Sequence, residues 1–170
     1  FLNAAQIPAL SPVQITAVSL RQIKTLSNTQ LASLQNDQLQ ALNKSQLSAL
    51  SATQLKVLTN NQLAALTPAQ WSAISDTQMA ALTPDQVSSL SVPVFRKLRE
   101  SQLQSLTTPQ LAGLSVDQFT ALNKTQLGCF TCNQLKALRP QQIAQLPLTV
   151  FKDMVRKKMD CMSAQQMASL

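Results

Sequence analysis

Apolar and polar positions alternate along this chain with a period of eight residues. Gln stands at 6, 14, 22, 30, 38, 46, 54, 62, 70, 78 and 86, and again at 102, 110, 118, 126, 134, 142 and 166. The residue after each of these positions, and after Val94, Val150 and Lys158 in the gaps, is apolar throughout, from Ile7 through Trp71, Phe95 and Phe119 to Met167. Three residues further on, a second apolar column runs from Leu10 through Val18, Ile74 and Phe130 to Leu170. A single helix cannot carry this pattern. Eight residues at ~100° each turn the face by about 80° per unit, so the columns would smear around the cylinder. A strand fares no better, because columns five residues apart fall on opposite faces, and Ala, Leu and Gln are poor strand formers beside β-branched residues.

A helix that restarts every eight residues satisfies the pattern. The Ser/Thr/Asn column (Ser11, Ser19, Ser27, Asn43, Ser51, Thr59, Thr67 and onward) supplies N-caps, and the Gln three places on is the return half of a capping box. Leu10 and Ile15 then occupy the positions of a hydrophobic staple. Pro12, Pro68, Pro84 and Pro140 fall at the first helical position, where a missing N–H costs nothing. Asp37, Asp76, Asp85, Glu100 and Asp117 fall in first turns, where the helix dipole favours an anion. Helices this short are marginal alone and must stack on their neighbours. The expected fold is all-α: a solenoid or superhelix of about twenty capped two-turn helices. The small column (Ala17, Ala41, Ala49, Ala65, Ala73, Ala81, Gly113, Ala121, Ala137) is expected at the inner turn of the superhelix, where it lets successive helices approach. The Gln column reads first as capping chemistry, with recognition of a ligand as the lesser alternative.

Residues 1–146 form the regular array, interrupted by the unit at 91–98, and residues 147–170 form irregular basic repeats. "SVPVFRKL" (91–98) and "PLTVFKDM" (147–154) replace Gln with Val, and "VRKKMDCM" (155–162) loses both cap and Gln. Departures from an otherwise consistent pattern are where function is expected. The candidate interaction residues are therefore Phe95, Arg96, Lys97, Arg99, Phe151, Lys152, Arg156, Lys157 and Lys158. The alternative reading of these units is structural, as capping or junction repeats. Because the pattern is cut at both ends, the chain reads as a processed form or a piece of a longer array.

Charge changes the picture in one respect. Fourteen Lys and Arg against seven Asp and Glu leave a net charge of +7. Lys24, Lys56, Arg96, Lys136 and Lys152 share the fifth helical position and would form a stripe if the superhelix aligned them. Catalysis has little to work with: there is no His, the acids are scattered, and no Gly-rich phosphate loop occurs. No catalytic, cofactor-binding or metal-binding residues are assigned, and an enzyme is not expected. Cys129 and Cys132 form a lone C-x-x-C, with Cys161 a third thiol. A local disulfide between Cys129 and Cys132 across one helix corner, or two ordinary buried thiols, is expected rather than a zinc or redox site. Asn43-Lys44-Ser45 and Asn123-Lys124-Thr125 are N-glycosylation sequons, which would mark Asn43 and Asn123 for modification and, with a disulfide, favour an extracellular or cell-surface setting. No apolar run approaches the ~18 residues of a membrane span.

Octads such as "LTPAQWSAIS" and "LTPDQV" resemble the opening of the TAL-effector repeat in capping chemistry, without room for its base-reading loop. The L-[S/T]-P-x-x-[apolar] units and the segments "VPVF" (Val92–Phe95) and "LTVF" (Leu148–Phe151) are similar to the short-helix superhelical proteins of the mesothelin, stereocilin and otoancorin group. The L-T-x-x-Q octads are also similar to repeats of very large bacterial surface proteins. These resemblances imply a cell-surface or extracellular role in adhesion or assembly. The favoured function is a non-enzymatic extracellular scaffold, structural, adhesive or protein-binding, whose partner is another protein or itself through end-to-end assembly. The alternative is a basic solenoid that binds nucleic acid or an anionic surface.

Overall fold

The computed structural model describes residues 5–146 and, beyond them, residues 148, 149, 152, 156, 159–161, 163 and 166. Among these residues the chain forms seventeen α-helices of four to six residues, from Pro12–Thr16 to Pro140–Ala144, flanked by 3-10 turns at Ile7–Ala9 and Met159–Cys161. There is no strand among them. The helices start where the cap column places them. Thr67, with extended backbone (φ −68°, ψ 153°), accepts from the Gln70 N–H through its hydroxyl at 3.2 Å, and Pro68 follows as the first helical residue. Asn43 caps Lys44–Ala49 through its side-chain oxygen at 2.9 Å. Gln35, Arg99 and Arg139 occupy the cap position without capping through their side chains; there the Gln half of the box remains, with Gln38, Gln102 and Gln142 accepting from the cap N–H at 2.8 Å.

Each helix ends within two turns because the next apolar residue leaves helical geometry: Leu42, Leu50, Leu58 and Leu66 are all extended, with ψ between 128° and 138°. This corner turns the chain into the next cap. Both apolar columns are buried in one continuous core. Leu63, Trp71, Met79, Phe95 and Phe119 are fully enclosed in one column, and Leu66, Ile74, Leu82 and Leu90 are buried in the other.

The superhelical turn spans between three and four octads. Helices pack on those three octads away: Pro12–Thr16 on Asn36–Ala41, Ala52–Val57 on Asp76–Ala81, and Pro84–Ser88 on Thr108–Gly113. Side-chain hydrogen bonds link residues 25 apart, as from Ser48 to the Ala73 carbonyl, and 28 to 31 apart, as from Gln62 to the Leu34 and Leu31 carbonyls. The small column differs from expectation. It abuts the preceding turn, not its sequence neighbours. A Cβ added at Gly113 would rest 3.8 Å from Pro84, an ordinary contact, and the Cys129 thiol lies 3.6 Å from the Glu100 carbonyl. In both pairs the small position meets the first helical position 29 residues earlier. The mostly small residues there suit the close approach of two turns rather than of two consecutive helices.

Candidate functional site

The Gln column carries the most elaborate chemistry in the molecule. The Gln70 side-chain oxygen accepts from the Thr67 N–H at 2.9 Å, completing the cap. Its Nε2 donates to the carbonyls of Leu39, Gln40 and Leu42 at 2.9, 3.1 and 2.8 Å, all one superhelical turn back. Gln46, Gln54, Gln62 and Gln134 repeat the arrangement, Gln110 reaches two carbonyls, those of Met79 and Leu82, and every Gln that reaches back in this way is buried. The last carbonyls of a helix have no intrahelical donor, and a buried carbonyl left without one costs about 1–3 kcal/mol. A single carboxamide answers both ends: its oxygen serves the N-terminus of one helix and its nitrogen the C-terminus of another. The reverse orientation of the amide would set its NH2 against the cap N–H. Glu, the other capping-box residue, accepts but cannot donate when ionised. The choice of Gln is therefore a tertiary matter, and the buried amides are engaged internally and do not face a ligand.

Val94 interrupts this ladder. It lies in the Gln column with 2% exposure and has nothing to donate to Leu63 and Leu66, the carbonyls that stand 31 and 28 residues before it. The same substitution removes the return half of the cap, and Ser91 makes no side-chain cap bond.

The candidate interaction residues separate. Phe95 is 0% exposed; it belongs to the closed core and offers no surface, because its place after the Gln column points it inward like every residue of that column from Ile7 to Ile143. Arg96 and Lys97 are exposed on Val92–Lys97. Arg99 turns back on the preceding turn, donating from Nη2 to the Ile74 carbonyl at 3.0 Å and lying 3.9 Å from the Asp76 carboxylate. Arg139 does the same to the Leu114 carbonyl at 2.8 Å. The signal that could have shown this is an arginine where a short capping side chain belongs. Lys152 and Arg156 are exposed; Phe151, Lys157 and Lys158 lie outside the described residues. The shared helical position of Lys24, Lys56, Arg96 and Lys136 does not make a stripe. They follow one another by four or five octads, whereas helices pack on those three octads away.

The turn does gather other bases. An open groove crosses successive turns, lined by Leu20, Lys24, Lys44, Ser45, Ala49 and Arg99 among others. Sequence reading missed it because its members come from different octad positions. Leu20 and Ala49, 29 residues apart, come together only through the superhelical turn, and the bases beside them follow.

Cysteine pairing corrects the sequence expectation. The disulfide joins Cys132 to Cys161, 29 residues apart with Cα atoms 4.8 Å apart, and not Cys129 to Cys132. Cys129 sits in the small column and faces the preceding turn, its thiol donating to the Gln126 carbonyl at 2.9 Å. Cys132 opens the next helix and faces the following turn, where Cys161 holds the small position. Asn43 and Asn123 are exposed, their side-chain oxygens accepting from the Gln46 and Gln126 N–H groups at 2.9 Å. Among the described residues, no three Cys, Asp or Glu side chains gather as metal ligands, and no helix is long and apolar enough to cross a membrane.

The ALTTAQ repeat family model matches residues 31–68 and 60–92. Comparison of the chain with curated proteins finds no match. The matched span covers octads in which every Gln of the column from Gln38 to Gln86 donates to the preceding turn, and it agrees with the reading of the chain as a repeat protein built on L-T-x-x-Q units.

Proposed function

We propose that the protein is a non-enzymatic extracellular scaffold, a superhelical element that binds a protein partner along its surface and assembles end to end. The observation that carries this reading is the Gln ladder. Among the described residues it repeats the same bonds between turns everywhere but at Val94, so a further turn of octads adds to the array by the bonds already used within it. Gln14 and Gln22, in the first turn, are exposed, with their oxygens engaged by the Ser11 and Ser19 N–H groups at 2.8 and 2.9 Å. Val13 beside them is 77% exposed. A turn of octads from a second copy docking there would cover that apolar group and accept from those amides, a heterologous contact that propagates without closing. The disulfide, the two exposed sequons and the likeness to bacterial surface repeats favour an extracellular or cell-surface location. Polyanion binding has less support: Trp71, Phe95, Phe119 and Phe130 are all fully buried, which leaves none of them to stack on bases.

Electron micrographs of the purified protein over a range of concentrations test the assembly. Rods of one diameter that lengthen with concentration support it, and particles of one size at every concentration remove it. Labelling of intact producing cells with a membrane-impermeant amine reagent tests the location; protection of the protein until lysis overturns it. Turnover of a substrate that depends on Asp or Cys residues of the chain would overturn the non-enzymatic reading.

A further inference from the structure

The geometry points to the groove bearing Lys24 and Lys44 as the docking site for an extended acidic segment of a partner protein, with carboxylates on the lysines and an apolar side chain on Leu20. The inference rests on the protein-binding reading above and names the partner's chemistry. Lys24 and Lys44 are exposed and stand on helices that pack against each other, Leu20–Lys24 and Lys44–Ala49. Arg99 adds a third base two turns along the superhelix, with the Asp76 carboxylate 3.9 Å away. No acid lines the groove itself.

The groove's remaining surface decides among polyanions. Leu20 is 45% exposed, and Ala49 and Ala73 lie half-buried in the floor, so the bases border an apolar strip. A sulfated polysaccharide or a nucleic acid backbone has no apolar group to cover that strip, and no aromatic ring lines the groove to stack on a base. An acidic peptide that carries interspersed leucines answers both features. Charge sets its rate of encounter and register, and the apolar contact sets its lifetime. The rim contributes hydroxyls, with Ser45 exposed at the second helical position and Ser48 already donating to the Ala73 carbonyl at 2.8 Å. The groove is open along its length, which suits a segment laid across the turns rather than a small molecule enclosed between them.

The test is fluorescence anisotropy with a labelled peptide rich in Glu with interspersed Leu, titrated with the whole protein. Heparin, a single-stranded oligonucleotide and a peptide with Glu replaced by Gln serve as comparisons. Saturable binding of the acidic peptide is expected, weakened at least about tenfold by Lys24→Glu with Lys44→Glu and weakened separately by Leu20→Ser. Lys136→Glu, an exposed change of the same charge off the groove, should leave affinity within about twofold once screening is considered. Circular dichroism and melting of each variant confirm that the fold persists. The inference is overturned if the peptide fails to saturate, if Lys136→Glu weakens it as much as the groove variants, or if Leu20→Ser has no effect. Heparin or oligonucleotide binding that exceeds peptide binding and falls with the same variants also overturns it. Rod assembly and surface labelling do not depend on these side chains, so failure of the peptide with rods intact removes the groove and leaves the scaffold.

Discussion

Gln70 donates its side-chain amide to the carbonyl of Leu42, 28 residues earlier, at 2.8 Å, while the oxygen of the same amide accepts from Thr67, three residues earlier, at 2.9 Å. One bond is local and the other spans a superhelical turn. Their separate contributions can be measured by changing which of the two a side chain is able to make.

Gln70→Glu keeps the acceptor and loses the donor. It should cost at least ~2 kcal/mol at neutral pH, since the Leu39 and Leu42 carbonyls lose their donor and a carboxylate is buried against them. Gln22→Glu, at an exposed position with only the local bond, should stay within about 0.5 kcal/mol. The buried Glu should have its folded pKa raised above its unfolded value of about 4.3, because desolvation and the carbonyls both favour the protonated acid, which can donate. The stabilising contribution of that proton is present in full below the unfolded pKa and disappears as pH rises through the folded one. Urea titrations of both variants at acid and neutral pH check this: a Gln70→Glu deficit that does not shrink in acid excludes the carbonyl contact.

Val94→Gln should repair the ladder. The new amide can reach the Leu63 and Leu66 carbonyls and return the cap to Ser91, so the protein should gain about 1 kcal/mol, with slower amide exchange around Leu66 and Leu98. Urea melts with hydrogen exchange decide it. Loss of stability would mean that Val94 packs in a space a Gln cannot enter.

Glu100→Cys should form a disulfide with Cys129. The two positions stand in the relation of Cys132 to Cys161: the first helical residue against the small column 29 residues on. Mass spectrometry of peptides from unreduced protein should show the new link beside Cys132–Cys161. A Cys129–Cys132 link in the parent protein would contradict both.

Thr67→Ala and Leu66→Ala separate cap from core. Loss of the cap hydroxyl should cost about 1 kcal/mol. Loss of Leu66, which is 2% exposed, should cost about 2–5 kcal/mol. Thermal or urea unfolding followed by circular dichroism gives both values, and a neutral Leu66→Ala would place that column in solvent.

The local rules of the octad were legible because they act within one helical turn. Ser, Thr or Asn before a Gln three places on, Pro at the first helical position and Leu at the corner each specify backbone geometry from residues at most a few positions apart. That is why the helices, their starts, their ends and both buried columns follow from the residues alone. The rest depended on the pitch of the superhelix, which no single octad contains. Corner angles repeated over three to four units bring residue i beside residues 25 to 31 away, and a small change in that angle would choose different neighbours.

The sequence by itself therefore determined a capped helix every eight residues, an apolar interior and an unusual surplus of positive charge. Only the tertiary structure decided that the Gln amides bind the preceding turn, that Cys132 pairs with Cys161 and not with its neighbour, that Phe95 is core, and that Lys24 and Lys44 share a groove while the aligned lysines do not form a stripe. The physical reason is one of range. Capping energies are set by dihedral angles and bonds within a few residues, whereas pairing between turns is set by a rotation accumulated over many corners.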